Sequence, residues 1–149
     1  MIDGVIITPL KTIADERGSV KHMLRKDAPQ FTDFGEVYFS LVHPGAVKAW
    51  KLHKRMVMNL AVPVGLVKLV LFDDRKNSST AGSIQEIIFG ADDYKLVTIP
   101  PLIWNGFQGL GEVTSVITNC ASITHDPDEG ERRDINDPSI PYSWTGQAK

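Results

Sequence analysis

An all-β fold, built as a sandwich or barrel of short strands, is predicted by three observations. Nine runs rich in Val, Ile, Leu, Phe and Tyr recur at short spacing. Gly, Pro, Asp and Asn punctuate them, and apolar residues almost nowhere repeat at the spacing of a three-turn amphipathic helix. In chain order the runs are GVIITPL, SVKHMLR, EVYFSLV, AVKAWKLH, MNLAVPV, LVKLVLFDD, SIQEIIFG, YKLVTIPP and TSVITNCASI. DDRKNSSTAGS, between the sixth and seventh, reads as a hairpin loop whose Asp, Asn, Ser and Gly supply turn chemistry. IPPLIWNGF is stiffer and more apolar than a surface turn requires, so it is expected to pack against something. Near the carboxyl end DPDEGERRDI is the best short helical or turn candidate, IPYSW is expected to pack the last segment over the fold, and TGQAK is expected to fray.

With 149 residues, 42% hydrophobic and 23% charged, the chain has the size of one ordinary domain, taken here as residues 1–149. A formal charge of −2 gives no global basic field, which argues against nonspecific nucleic-acid binding and for a small partner. The single Cys120 lies in an apolar run, where a packed thiol and a reducing compartment are expected. The opening MIDGVIITPL has no basic region leading into a long apolar segment, and no run approaches a membrane span. A cytoplasmic protein without membrane contact is the expectation.

The most chemically loaded stretch is VKAWKLHKRM, where strand alternation aims Lys51 and His53 at one face. Jelly-roll barrels of the cupin type hold a metal with an HxH pair on one strand, a later Glu and a His after a PxGxxH turn. Here Lys51 replaces the first His, Met58 stands near the carboxylate position, and Asn105 occupies the last His position. An ammonium cannot ligate a metal and an amide is a poor transition-metal ligand, so neither metal nor other cofactor is expected.

Five segments in register carry a more specific resemblance. DERGS is similar to an early D-x-RG motif, GAVKAWKLHK to an RGLH segment, DDRKNSSTAG to a D-x-R-x-x-SPT-x-G hairpin, IPPLIWNGF to IPxGxAHGF, and DPDEGERRDINDPSIPYSW to a closing YxPxxE…DP…I-W. Together they resemble the dTDP-4-dehydrorhamnose 3,5-epimerase family of the cupin superfamily, and GAVKAWKLHK equally resembles the RGxHAHK segment of dTDP-sugar 3,4-ketoisomerases. The resemblance implies a cupin-type jelly-roll barrel with a short C-terminal helical or turn segment. It also implies a nucleotide-diphosphate sugar, dTDP-linked, as partner, a homodimer, and metal-independent proton transfer beside a 4-keto group in deoxysugar or surface polysaccharide synthesis.

Carried over position by position, the family's catalytic set is uneven. Its RGLH base falls on Lys51, its enolate-stabilising lysine on Met58, its AHGF histidine on Asn105, and its tyrosine acid on Thr124 and His125. Asp137 matches the aspartate that orients the base. The ketoisomerase register keeps His53, whose ordinary pKa suits a base at neutral pH, while an unperturbed Lys51 better serves as an electrostatic stabiliser. Burial that lowered Lys51 would open the opposite assignment. Arg17 and Lys48 match arginines that hold nucleotide phosphates, and Tyr38, Trp104 and Asn105 complete the expected substrate contacts, although aromatics in a small barrel are core residues by default. The rival reading is a sugar-nucleotide-binding protein that kept the fold and lost the chemistry.

Overall fold

The computed structural model describes residues 1–144. Twelve strands form it: β1 (Ile6–Pro9), β2 (Thr12–Asp15), β3 (Gly18–Lys21), β4 (Glu36–Val42), β5 (Val47–His53), β6 (Met58–Val64), β7 (Leu66–Asp73), β8 (Ile84–Gly90), β9 (Lys95–Ile99), β10 (Ile103–Leu110), β11 (Ser115–Ala121) and β12 (Gly130–Arg132). Two five-stranded antiparallel sheets, ordered β1-β9-β6-β11-β4 and β12-β5-β10-β7-β8, face one another, and β2 and β3 make a separate hairpin. The all-β jelly-roll expectation therefore holds. Among the described residues the two sheets face each other as a sandwich and do not close into a barrel, because β4 and β12 end their sheets without pairing. The segment around DPDEGERRDI contains β12 and turns, with no helix among the described residues.

Alternation explains which residues fill the space between the sheets. Met58, Leu60 and Val62 of β6 meet Val67, Leu69 and Leu71 of β7 in one buried cluster, the period-2 pattern of strands with one face inward. Gly65 is the corner that carries the chain from β6 to β7 and so from one sheet to the other. It sits at φ +82°, and a Cβ there would come within 2.7 Å of the Ser115 backbone, so only glycine fits.

The outer face of the second sheet carries a cluster of its own. Trp50, Leu52, Phe72 and Trp104 are covered by Ile140, Tyr142 and Trp144, with Trp50 and Trp144 rings 5.1 Å apart. IPYSW thus packs as expected. IPPLIWNGF does too, but its second half is strand β10 rather than a connection, in the middle of the second sheet.

DDRKNSSTAGS is the β7–β8 loop, organised around the buried Asp73 carboxylate. Arg75 donates to it from Nε at 2.8 Å, and the Ser78 and Thr80 hydroxyls each donate at 2.6 Å. Arg75 also donates to the Asp3 carbonyl, tying the amino-terminal segment to the loop, so its role is structural.

Candidate active site

A cavity of about 450 Å³ opens between the sheets at their β4 and β12 edges. One wall is Tyr38 of β4, Met58 and Leu60 of β6, and Ile117 and Asn119 of β11. The other is Lys48, Lys51 and His53 of β5, Asn105 and Phe107 of β10, and Arg132 of β12. The first wall is neutral and the second carries all the charge.

A β-bulge sets the charged wall. Asn105 pairs with Lys51 and Phe107 with Lys48, two steps along β10 against three along β5. The extra residue lies at Ala49–Trp50, where the peptide bond is cis. It lets Lys48 and Lys51, three apart, line the same cavity while Trp50 turns into the outer cluster.

His53 is 5% exposed, and its Nδ1 lies 2.6 Å from Oε2 of Glu129. Glu129 is 3% exposed, and its other oxygen, Oε1, accepts the backbone N–H groups of Arg55 at 2.7 Å and Met56 at 2.9 Å. Burial works against its ionisation, but these donors and His53 outweigh it and hold the carboxyl down to about 2. Burial lowers the His53 pKa, and the Glu129 bond only partly restores it. A neutral ring beside a carboxylate must place its proton on Nδ1, as donor to Glu129, which leaves Nε2 as a bare acceptor. Nε2 has no hydrogen-bond partner among the described residues. Burial, with help from Arg132, also lowers Lys51.

Of the expected site residues, His53, Lys51, Lys48, Tyr38 and Asn105 come together around the cavity. Asn105 spends its amide on the Lys51 carbonyl at 2.8 Å, pinning β5 to β10. Three expectations are corrected. Asp137 does not orient His53; its carboxylate accepts from the Ser139 backbone N–H at 2.8 Å in an exposed turn, and Glu129 takes the orienting place. Trp104 is on the outer side of β10, 1% exposed under the Arg133 guanidinium, because β10 alternation gives the inner face to Asn105. Arg17 sits at the tip of the β2–β3 hairpin, with its side chain 82% exposed and paired to Asp15, away from the cavity. Glu129 and Arg132 were not singled out in the sequence. Their only signal was membership of the closing DPDEGERRD segment, which pairs with β5 as β12.

Comparison with known proteins decides the family. The family model described as dTDP-4-dehydrorhamnose 3,5-epimerase matches residues 1–149. The chain belongs to that family. It is 30% identical over 146 residues to the spore coat polysaccharide biosynthesis protein SpsL of Bacillus subtilis, covering 97% of each chain. It is also 30% identical over 151 residues to the probable low-salt glycan biosynthesis epimerase Agl13 of Haloferax volcanii, covering 98% of this chain and 96% of that one. Among solved structures it is similar to a dTDP sugar isomerase from Desulfovibrio desulfuricans, with a TM-score of 0.96, 44% identity, and coverage of 99% and 94%. The chain is thus of a dTDP-sugar epimerase and isomerase family, with relatives in spore-coat polysaccharide and glycan biosynthesis.

Proposed function

We propose that this protein epimerises a nucleotide-diphosphate 4-keto sugar, dTDP-linked, by metal-independent proton transfer at a carbon next to the ketone. The observation that carries the reading is the Glu129–His53 pair, which leaves a neutral imidazole with its acceptor nitrogen bare on a cavity shared with Lys51. His53 is the base. Removing the C–H proton sends its electron pair toward the ketone oxygen, and the ammonium of Lys51 stabilises the enolate that forms. Lys48 and Arg132, at the same cavity, supply positive charge for the diphosphate.

The proposed setting is the cytoplasm, and the proposed assembly is a homodimer. Val37, Phe39 and Leu41, on the outward side of edge strand β4, form an apolar stripe with Phe39 63% exposed. Sedimentation of the protein as a monomer at micromolar concentration would remove the dimer.

The chemical reading is tested by incubating the protein with dTDP-4-keto-6-deoxyglucose in deuterated water and following the sugar by NMR. Deuterium at C3 or C5 with an inverted centre is expected, and its loss in His53→Ala would confirm the base. Movement of the carbonyl to C3 would make the reaction a ketoisomerisation. Tight binding without exchange would show a binding protein.

A further inference from the structure

We infer that Tyr38, from the neutral wall of the cavity, is the acid that delivers the proton to the face of the sugar opposite His53. The inference rests on the epimerase reading and assigns its second half-reaction. The position expected to carry a tyrosine acid holds Thr124 and His125 in this chain, so an inverting reaction needs a donor from elsewhere.

The hydrogen bonds around Tyr38 leave its proton available. Asn59 donates its backbone N–H to Oδ1 of Asn119 at 3.0 Å, which fixes the orientation of that amide. The Asn119 Nδ2 then faces the phenol and donates to the Tyr38 oxygen at 2.9 Å. With its oxygen accepting, Tyr38 has a hydroxyl proton still to place, and no acceptor for it exists among the described residues. Tyr38 lines the same cavity as His53 but from the facing sheet. A short chain of contacts links the two groups: Nδ2 of Asn119 lies 3.8 Å from the Met56 sulfur, and the Met56 N–H is held by Glu129, the partner of His53. Burial raises the Tyr38 pKa, which keeps the phenol protonated at neutral pH.

The step balances in protons and electrons. His53 Nε2 takes the C–H proton from one side, and the C–H electron pair becomes the enolate. As that pair returns to carbon, the Tyr38 O–H bond breaks and its proton adds from the other side, inverting the centre. Imidazolium and phenolate remain, and a proton passes from the first to the second through solvent at the cavity mouth. A base and an acid on opposite walls are what inversion requires.

Tyr38→Phe tests this, because the ring and its packing stay and only the hydroxyl goes. Deuterium incorporated into the 4-keto sugar and inverted product are measured together by NMR, with thermal unfolding as the check on folding. In Y38F the amount of inverted product per deuterium incorporated should fall by about 10²-fold, since His53 still removes the proton and returns a deuteron to the same face. A structural role for the hydroxyl would lower both signals equally and leave their ratio unchanged, which would overturn the inference. An unchanged ratio at full rate would overturn it as well. Absence of exchange in the unaltered protein would instead overturn the epimerase reading, and this assignment with it.

Discussion

Two carboxylates, Asp73 and Glu129, are buried alike and put to different uses. Asp73 is 0% exposed and Glu129 3%, each accepts several hydrogen bonds, and both are held well below the usual carboxylate range. Asp73 faces a guanidinium and two hydroxyls, none of which changes charge near neutral pH. Glu129 faces an imidazole, the one side chain whose ordinary pKa lies there. The same kind of anchored anion staples a loop in one place and sets a proton position in the other. What the partner can titrate, rather than burial, separates the two roles.

Exchanging the carboxylates for amides breaks the comparison most sharply. In Glu129→Gln the amide oxygen can keep both backbone donors, but the NH2 group then faces His53 Nδ1 and forces the ring proton onto Nε2. A base with its acceptor nitrogen protonated cannot act, so kcat/KM should fall on the order of 10²-fold or more, with nucleotide affinity close to normal. Steady-state kinetics beside calorimetric titration of dTDP would check this. Asp73→Asn should do the reverse. Loss of the charge opposite Arg75 in a buried network should cost about 3 kcal/mol, which for a chain of this size lowers Tm by roughly 6–12 °C. Its kcat per folded molecule should be unchanged, as scanning calorimetry and assays below Tm would show.

A smaller effect is expected in the pH dependence. Both carboxyls are depressed in the native state, so their stabilisation is complete above the ordinary values of 4.5 and 3.8 and is lost as pH falls toward the native ones, about 2 for Glu129. His53 is depressed as well. As pH falls through the ordinary 6.5 the unfolded chain takes up a proton that the native ring resists, so its contribution has the same sign. Stability should therefore decline with acidity from about pH 6.5 downward, in denaturant titrations at successive pH values. The acid limb of kcat/KM should lie below 6.5. Removing the Glu129 bond, which raises the His53 pKa, should move that limb lower still in whatever activity E129Q retains.

The strands were legible where alternation was clean. β4, β5, β6, β7, β8, β9 and β11 each coincide with an apolar run. β10 is hidden because Pro100 and Pro101 just before it and its own two glycines read as a connection, and β12 because three charged and small residues at a sheet edge carry no apolar signal. In the site, His53 and Lys51 were legible because both belong to one local pattern. Glu129 was not, since it meets His53 across 76 residues and only the pairing of β12 with β5 brings it there. Asp137 was favoured by a motif whose geometry this chain does not reproduce. Trp104 shows the limit for aromatics: the side of β10 it faces depends on a register fixed by neighbouring strands.

The bulge in β5 has a consequence for mutational tolerance. A strand has a two-residue reading frame, and the added residue at Ala49–Trp50 is a frameshift. Before it, odd-numbered Val47 packs outward and even-numbered Lys48 faces the cavity; after it, even-numbered Trp50 and Leu52 pack outward and odd-numbered Lys51 and His53 face in. Saturation mutagenesis across residues 47–53 should show tolerance for polar side chains switching parity at that point. Deleting Ala49 would remove the added residue and restore a single frame, in which Val47, Trp50 and Leu52 still pack outward and Lys48, Lys51 and His53 still face the cavity.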